Sequence, residues 1–263
     1  MKYIVITGGS SGIGAAAAKA LSALGHKLII TGRSNATRTM AEAIGADYYI
    51  VDYTRLEEVK AFAATLTASY PRIDVLVNNV GGIIKERYVT PDGHEQTFQV
   101  NHLAGFFLTN LLRERLEESK GVVINTSSMA NRVGNAKMDD LESVRGYEPM
   151  KAYGTAKLMN ILHAQEIGKR FKGVRAASFH PGVVRTAFAR EGKGIIRWVY
   201  ESVFGKLFMI SPEQGADTLV WLIATNDWKS GEYYYKRRPG RKNNTSKAAE
   251  LWEKSLQAIH HLE

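Results

Sequence analysis

An apolar run, Lys2-Tyr3-Ile4-Val5-Ile6-Thr7, leads directly into Gly8-Gly9-Ser10-Ser11-Gly12-Ile13-Gly14, and that segment leads directly into the alanine-rich stretch Ala15 to Leu24. Few folds accept such a junction. The first run reads as a short buried strand and the last as a helix. Between them, glycines allow a tight turn and a close approach to the backbone. The free N–H groups and positive dipole end of the following helix favour an anionic visitor such as a pyrophosphate. A glycine-rich hairpin fits less well, because hairpins do not open onto a helix. Ser10, between Gly8 and Gly12, also satisfies the G-x-S-x-G pattern of a nucleophile elbow. Hydrolases of that kind need several strands and an oxyanion loop upstream, and only one strand precedes Ser10.

The rest of the chain repeats the alternation. Strand candidates at 2–7, 27–31, 47–51, 73–78, 121–126 and 173–179 are separated by helical patterns, which implies a parallel sheet covered on both faces. Right-handed crossovers then give a doubly wound arrangement, with ligands at the carboxyl ends of the strands where the order reverses. The 263 residues, 44% of them hydrophobic, suit one α/β domain over 1–263, and no repeat, linker or low-complexity tract argues for a second. Helices expected at 102–118 and 153–171 carry apolar residues on more than one face, including Phe106, Phe107, Leu111, Leu112, Met159, Ile161 and Leu162. Such helices pack on the sheet and on a partner. No apolar run reaches the length of a membrane span, and the first strand leaves no room for a signal peptide. The absence of cysteine excludes disulfides and thiolate metal ligands and suits a cytoplasmic protein. The histidines lack metal-ligand spacing, so no metal site is expected.

Tyr153 and Lys157 stand four apart on an expected helix and project from one face. An ammonium a few ångströms away favours a phenolate, so this pair can supply a general acid/base at neutral pH. A solvated Lys beside a packed Tyr is the bland alternative.

The ordered motifs resemble the short-chain dehydrogenase/reductase family over nearly the whole chain. They are TGGSSGIG from Thr7 to Gly14, Asp52 after the third strand, Asn78-Asn79-Val80-Gly81, Asn101 in VNHLAGFFLTNLL, Ser128 in VINTSSMA, YGTAK from Tyr153 to Lys157, and His180-Pro181-Gly182 with Thr186. Within that family the runs IDVLVNN and DGHEQTFQVNHLAGFFLTNLL are most similar to the retinol-dehydrogenase-like group. So is the long Ser128–Tyr153 interval, which makes Asn131 to Glu148 an inserted active-site loop. The resemblance implies a doubly wound Rossmann fold, a mainly parallel seven-stranded sheet with helices on both faces, its last strand near Glu232 to Lys236. It also implies a nicotinamide cofactor, a small-molecule carbonyl or alcohol substrate, and a homodimer or homotetramer.

By the same resemblance, Gly8, Ser10, Ser11, Gly12, Ile13 and Gly14 meet the cofactor's pyrophosphate, and Asp52 with Tyr53 meets its adenine. Asn79, Val80 and Gly81 line the adenosine ribose. Pro181, Gly182, Val183 and Thr186 meet the carboxamide and phosphates. Val80 stands where the family usually has Ala and is expected to crowd the cofactor floor slightly. Tyr153 exchanges a proton with the substrate oxygen, Lys157 holds the nicotinamide ribose, Ser128 donates to the substrate oxygen, and Asn101 anchors a water near Lys157. Ser128 is chosen over adjacent Ser127 by spacing. A non-catalytic NADP-binding sensor or scaffold is the alternative function.

Cofactor choice has a local argument. A carboxylate after the second strand suits the ribose hydroxyl of NAD, whereas an Arg accommodates the 2′-phosphate of NADP. This chain has Arg33 there, no acid before Glu42, and Arg38 as a possible helper, so NADP(H) is expected. Substrate choice points to residues 187–210, dense in apolar side chains between the Pro-Gly motif and a helix cap at Ser211-Pro212-Glu213. They read as a substrate lid, as helices packed on the core or a neighbour, or as a peripheral membrane contact. The net charge of +9, sharpest at Lys236 to Lys242, brings no nucleic-acid-binding motif and is expected to form a solvated loop, with no nucleic-acid partner.

Overall fold

Strands and helices alternate through residues 1–184, 210–241, 243 and 245–262, which this computed structural model describes. The first half runs β1 (Tyr3–Ile6), α1 (Gly12–Ala23), β2 (Lys27–Gly32), α2 (Ala36–Ile44), β3 (Asp47–Ile50), α3 (Leu56–Ser69) and β4 (Val75–Asn78). Next come α4 (Gln96–Phe98), a π-helical turn (Gln99–Leu103), α5 (Ala104–Leu111), α6 (Arg113–Glu118) and β5 (Val122–Thr126). A 3₁₀ turn (Met129–Arg132), α7 (Pro149–Arg170), β6 (Arg175–Phe179), α8 (Pro212–Ala224), β7 (Tyr233–Tyr235), β8 (Arg238–Pro239) and α9 (Ala248–Ile259) follow.

All the strands join one sheet in the order β3-β2-β1-β4-β5-β6-β7-β8. Every pairing is parallel except the last. The expected seven strands are present, and an eighth is added. Lys236 and Arg237 take positive φ of 51° and 60°, closing a two-residue hairpin that folds Arg238–Pro239 back on β7. Part of the basic run is thus a sheet edge, where Arg237 pairs with Asp217.

Successive strand residues point to opposite faces, and both faces are apolar. Ile4, Ile6, Leu28, Ile30, Val75 and Val77 pack with Ala17 and Leu21 of α1 and Leu219 and Ile223 of α8. Val5, Ile29, Leu76, Val123 and Ala176 pack with Leu66 of α3, Phe106 of α5, Leu162 of α7 and Trp252 of α9. Full burial of each large aliphatic side chain stabilises the fold by about 1.5–3 kcal/mol. The strand order reverses between β1 and β4, which opens a crevice at their carboxyl ends.

One expectation about the helices needs correction. The helix placed at 102–118 is not continuous: it starts as a π-helical turn and breaks at Leu112, whose φ and ψ of −93° and 7° leave the helical region. Part of the outer faces of α5 and α7 is covered within the chain itself. Helix α9 lies on them, burying Leu251, Trp252, Ser255 and Ile259. The Trp252 ring meets Phe106 edge-on at 4.9 Å and Phe171 at 5.9 Å, under the Arg170 guanidinium at 5.0 Å. Among the described residues no helix is long and apolar enough to cross a membrane.

Candidate active site

The glycine turn opens onto α1 at Ser11, an extended N-cap residue whose hydroxyl makes no capping bond. The first-turn N–H groups therefore face the crevice as an anion-binding end. Gly14 is required by closeness: a Cβ there would collide with the Gly8 carbonyl and lie 2.7 Å from Asn79 Nδ2. Asn79 and Thr7 clasp the crevice. Asn79 Nδ2 donates to the carbonyls of Thr7 (3.0 Å) and Gly8 (3.2 Å), and Thr7 Oγ1 accepts from the amides of Asn79 (2.8 Å) and Val80 (3.1 Å). Val80 presses a methyl toward Gly8, within 3.2 Å of where a Cβ would sit, so its extra bulk falls at the glycine turn. The cradle fits a dinucleotide because its space exists only where side chains are missing.

At the adenosine end, Arg33 is exposed immediately after β2, and no described carboxylate pairs with it. Arg38 is engaged by Glu42 at 2.8 Å, which turns it along α2. Asp52 Oδ1 accepts from the Thr54 amide (2.9 Å) and hydroxyl (2.8 Å), so one carboxylate oxygen caps the local turn. Tyr53 does not offer its ring: the side chain is 3% exposed, and its hydroxyl bonds Thr31 Oγ1 at 2.8 Å. Burial pushes this phenol well above its ordinary range. Only the Tyr53 backbone can serve the expected contact.

The opposite wall is α7, which begins at Pro149 and carries Tyr153 and Lys157 on one face. Lys157 is not a solvated lysine; it is 2% exposed, with Nζ 5.4 Å from the Tyr153 ring centroid and 3.3 Å from the Thr126 carbonyl. Burial pushes it down to about 7. The sequence treated this group as a full cation, and burial makes its charge at neutral pH conditional on the acceptors around it.

Gly81 lets two groups converge, since a Cβ there would collide with Asn101 Oδ1 and lie 2.8 Å from Lys157 Nζ. Asn101 sits on the π-helical turn. Its Oδ1 accepts from the Gly82 amide at 2.9 Å, and its Nδ2 donates to the carbonyls of Gly82 and Thr97 at 3.0 Å each.

The two serines separate cleanly. Ser127 is buried and donates to the Lys157 carbonyl at 2.8 Å, whereas Ser128 is half-exposed and caps the 3₁₀ turn through Ala130 N at 3.2 Å. The loop after Ser128 is pressed onto α7 beside Tyr153, because backbone meets backbone at Gly134 and Gly154 with no room for a Cβ on either. Further along, Glu142 accepts from the Glu95 amide at 2.8 Å and pairs with His94 Nδ1 at 3.0 Å, while His94 Nε2 lies 3.1 Å from the Ala258 carbonyl. The expected inserted loop is therefore tied to the C-terminal segment.

The Pro-Gly motif closes the third side. Pro181 and Val184 meet Ile13 over Gly215 of α8, which has no side chain to keep them apart. Val183 is exposed, and its carbonyl accepts from Ile210 N at 2.9 Å. The expected cap is present as a reciprocal box between Ser211 and Gln214. Thr186 and residues 187–209 of the expected lid lie outside the described residues. Sequence reasoning missed Asn160, a buried amide one turn past Lys157; a polar residue on the sheet-facing side of an apolar helix was the available signal.

A phosphate-ready glycine turn, a crevice at the strand-order reversal and a buried Tyr–Lys face define a nucleotide-dependent oxidoreductase architecture. The family model described as short chain dehydrogenase matches residues 2–193, and the chain belongs to that family. It is accordingly an oxidoreductase of the carbonyl/alcohol class, and the family implies a nicotinamide cofactor. Among its relatives, the "Putative daunorubicin C-13 ketoreductase DnrU" of Streptomyces sp. (strain C5) is 41% identical, the match covering 98% of this chain and 92% of the relative. Retinol dehydrogenase 12 of Mus musculus is 33% identical over 98% of this chain and 86% of its own length. A solved structure of an uncharacterized protein from Mycobacterium Paratuberculosis superposes with a TM-score of 0.77 at 27% identity, covering 99% of this chain and 94% of the other.

Proposed function

We propose that the protein is an NADP(H)-dependent carbonyl reductase/alcohol dehydrogenase for a bulky lipophilic substrate, with Tyr153 as general acid/base. The observation that carries the reading is the convergence of Asn101 and Lys157 on Gly81, with Tyr153 one turn before Lys157 and Ser128 on the loop pressed against the same helix. The bound nicotinamide supplies or accepts the hydride. Tyr153 gives its proton to the carbonyl oxygen in reduction and removes it from the hydroxyl in oxidation. Ser128, whose hydroxyl is half-exposed, donates to the same oxygen and polarises it. Lys157 holds the ribose and, when protonated, favours the phenolate. Asn101 keeps a water within reach of Lys157.

NADP(H) is supported by Arg33, which stands exposed where a 2′-phosphate would lie. Gly8, Ser10, Ser11, Gly12, Ile13 and Gly14 take the pyrophosphate, with Asp52, the Tyr53 backbone, Asn79, Val80 and Gly81 around the adenosine. Pro181, Gly182, Val183 and Thr186 take the nicotinamide end. The ketoreductase and retinol dehydrogenase relatives support a large apolar ketone, aldehyde or alcohol, and residues 187–210 are proposed as its lid. The proposal extends to one domain over 1–263 and to a cytoplasmic location, for which the cysteine-free composition is suited. It extends also to a homodimer or homotetramer, for which the groove of about 550 Å³ that α9 leaves beside Phe107, Leu111 and Leu256 is one available apolar surface.

A panel of lipophilic ketones and aldehydes with NADPH and NADH tests the reading. Turnover is expected with NADPH preferred, the preference collapsing in Arg33→Asp. Tyr153→Phe should cut kcat about a thousandfold while cofactor affinity changes little. Equal turnover in Tyr153→Phe would remove that residue from the chemistry.

A further inference from the structure

Behind Lys157 runs a buried chain of hydrogen bonds that none of the four proposed catalytic residues explains. Asn160, 4% exposed, donates through Nδ2 to two carbonyls, those of Asn101 and Thr126, at 3.0 Å each. The Thr126 carbonyl also accepts from Lys157 Nζ at 3.3 Å. One amide thus joins the π-helical turn that carries Asn101 to the end of β5, and Lys157 enters between those two segments. The amide's own orientation is fixed, because two carbonyls can be met only by its NH₂ group. Its Oδ1 therefore faces His102 Nδ1, 3.3 Å away.

That orientation also dictates the imidazole. Oδ1 accepts only, so Nδ1 carries the proton and Nε2 accepts from Ser255 Oγ at 3.1 Å. Burial, against the weaker pull of Asn160, pushes His102 down to about 4, so the ring stays neutral. The chain reads Ser255 to His102 to Asn160 to the carbonyls of Asn101 and Thr126, and the Thr126 carbonyl ends it at Lys157. Asn125 braces it from β5, its Nδ2 donating to the Asn160 carbonyl at 3.0 Å.

We infer that Asn160 is a positioning residue: by occupying the Asn101 and Thr126 carbonyls it limits how far Lys157 is drawn into the wall and keeps its ammonium toward Tyr153, with His102 holding Asn160 in that orientation. The inference rests on the function proposed for Tyr153 and Lys157. Removing the Nδ2 donors frees two buried carbonyls, and the nearest cation to satisfy them is Lys157. Moving the ammonium inward takes it from the phenolate, so the phenol becomes less acidic. The titratable groups facing Lys157 are Tyr153 on its own helix and His102 from the π-helical turn.

Asn160→Leu removes both donors at similar volume, and His102→Phe leaves them in place but removes the orienting bond, together with the bond to Ser255, while keeping a ring between Phe98 and Phe106. In Asn160→Leu, kcat for alcohol oxidation should fall roughly tenfold or more, as expected for a misplaced catalytic group. Its acid limb should move to higher pH, while substrate KM and NADP affinity stay within about twofold, a ground-state binding effect far smaller than the rate change. His102→Phe should move the limb the same way by less, and it carries the test if Asn160→Leu does not fold. An unmoved acid limb in a folded variant, with or without lost thermal stability, overturns the inference and leaves the proposed function standing. A wild-type protein that turns over no carbonyl or alcohol with either cofactor overturns both.

Discussion

The cofactor floor and the catalytic wall meet in one crevice but are built in opposite ways. The floor, from Thr7 to Gly14 and Asn79 to Gly81, works by missing side chains: Gly14 passes so close to Gly8 and Asn79 that any Cβ collides. The wall, from Asn101 through Thr126 to Asn160, works by buried side chains that donate to buried backbone carbonyls. A floor of that kind fails by steric intrusion and a wall by an unmet hydrogen bond. Substitutions should therefore show distinct signatures: loss of binding at the floor, loss of rate at the wall.

The largest effect should come from breaking the floor. Gly14→Ala overpacks backbone against backbone and should cost about 3 kcal/mol of stability or an equivalent loss of cofactor affinity. Thermal unfolding with and without NADPH checks it; near-wild-type binding would mean the floor yields more easily than its contacts suggest. On the wall, the adjacent serines sharpen the contrast. Ser128→Ala should lower kcat about a hundredfold with little change in stability, as for a lost oxyanion donor. Ser127→Ala should cost about 1–2 kcal/mol of stability, since it strips a buried carbonyl of its donor, and leave kcat within a few-fold. Reversed roles in steady-state kinetics and unfolding would exchange their assignments.

The smallest effect concerns the tie that holds the loop over the wall. Glu142 raises the His94 pKa above its ordinary 6.5, so the stabilisation from His94 is full below that value and is lost as pH rises through the raised one. Burial opposes ionisation of Glu142, yet His94 and the Glu95 amide outweigh it and hold Glu142 below its ordinary 4.5. Its share is full above 4.5 and is lost as pH falls through the lowered value. The tie is complete between about 4.5 and 6.5. His94→Gln should remove about 1 kcal/mol or less at pH 6 and flatten the decline toward pH 8, measured by urea unfolding.

Much of the floor was legible in the sequence because it is local. An apolar run, glycines and alanines within one stretch specify strand, turn and helix without reference to anything distant. The Tyr153–Lys157 face was legible for the same reason, through helix periodicity. The state of Lys157 was not, because burial comes from β5, the π-helical turn and the Gly81 backbone together. The π-helical turn escaped as well, since one extra residue in a turn leaves the apolar pattern of VNHLAGFFLTNLL unchanged. Apolar residues on the outer faces of α5 and α7 announced a second contact, and α9 supplies part of it, which periodicity could not reveal.

Because Ser255 lies on α9, the hydrogen-bonded chain that steadies Lys157 ends in a segment that leaves the ribosome after every strand of the sheet. A nascent chain can shape its glycine turn early, while the amine keeps its final place only after synthesis has passed α9.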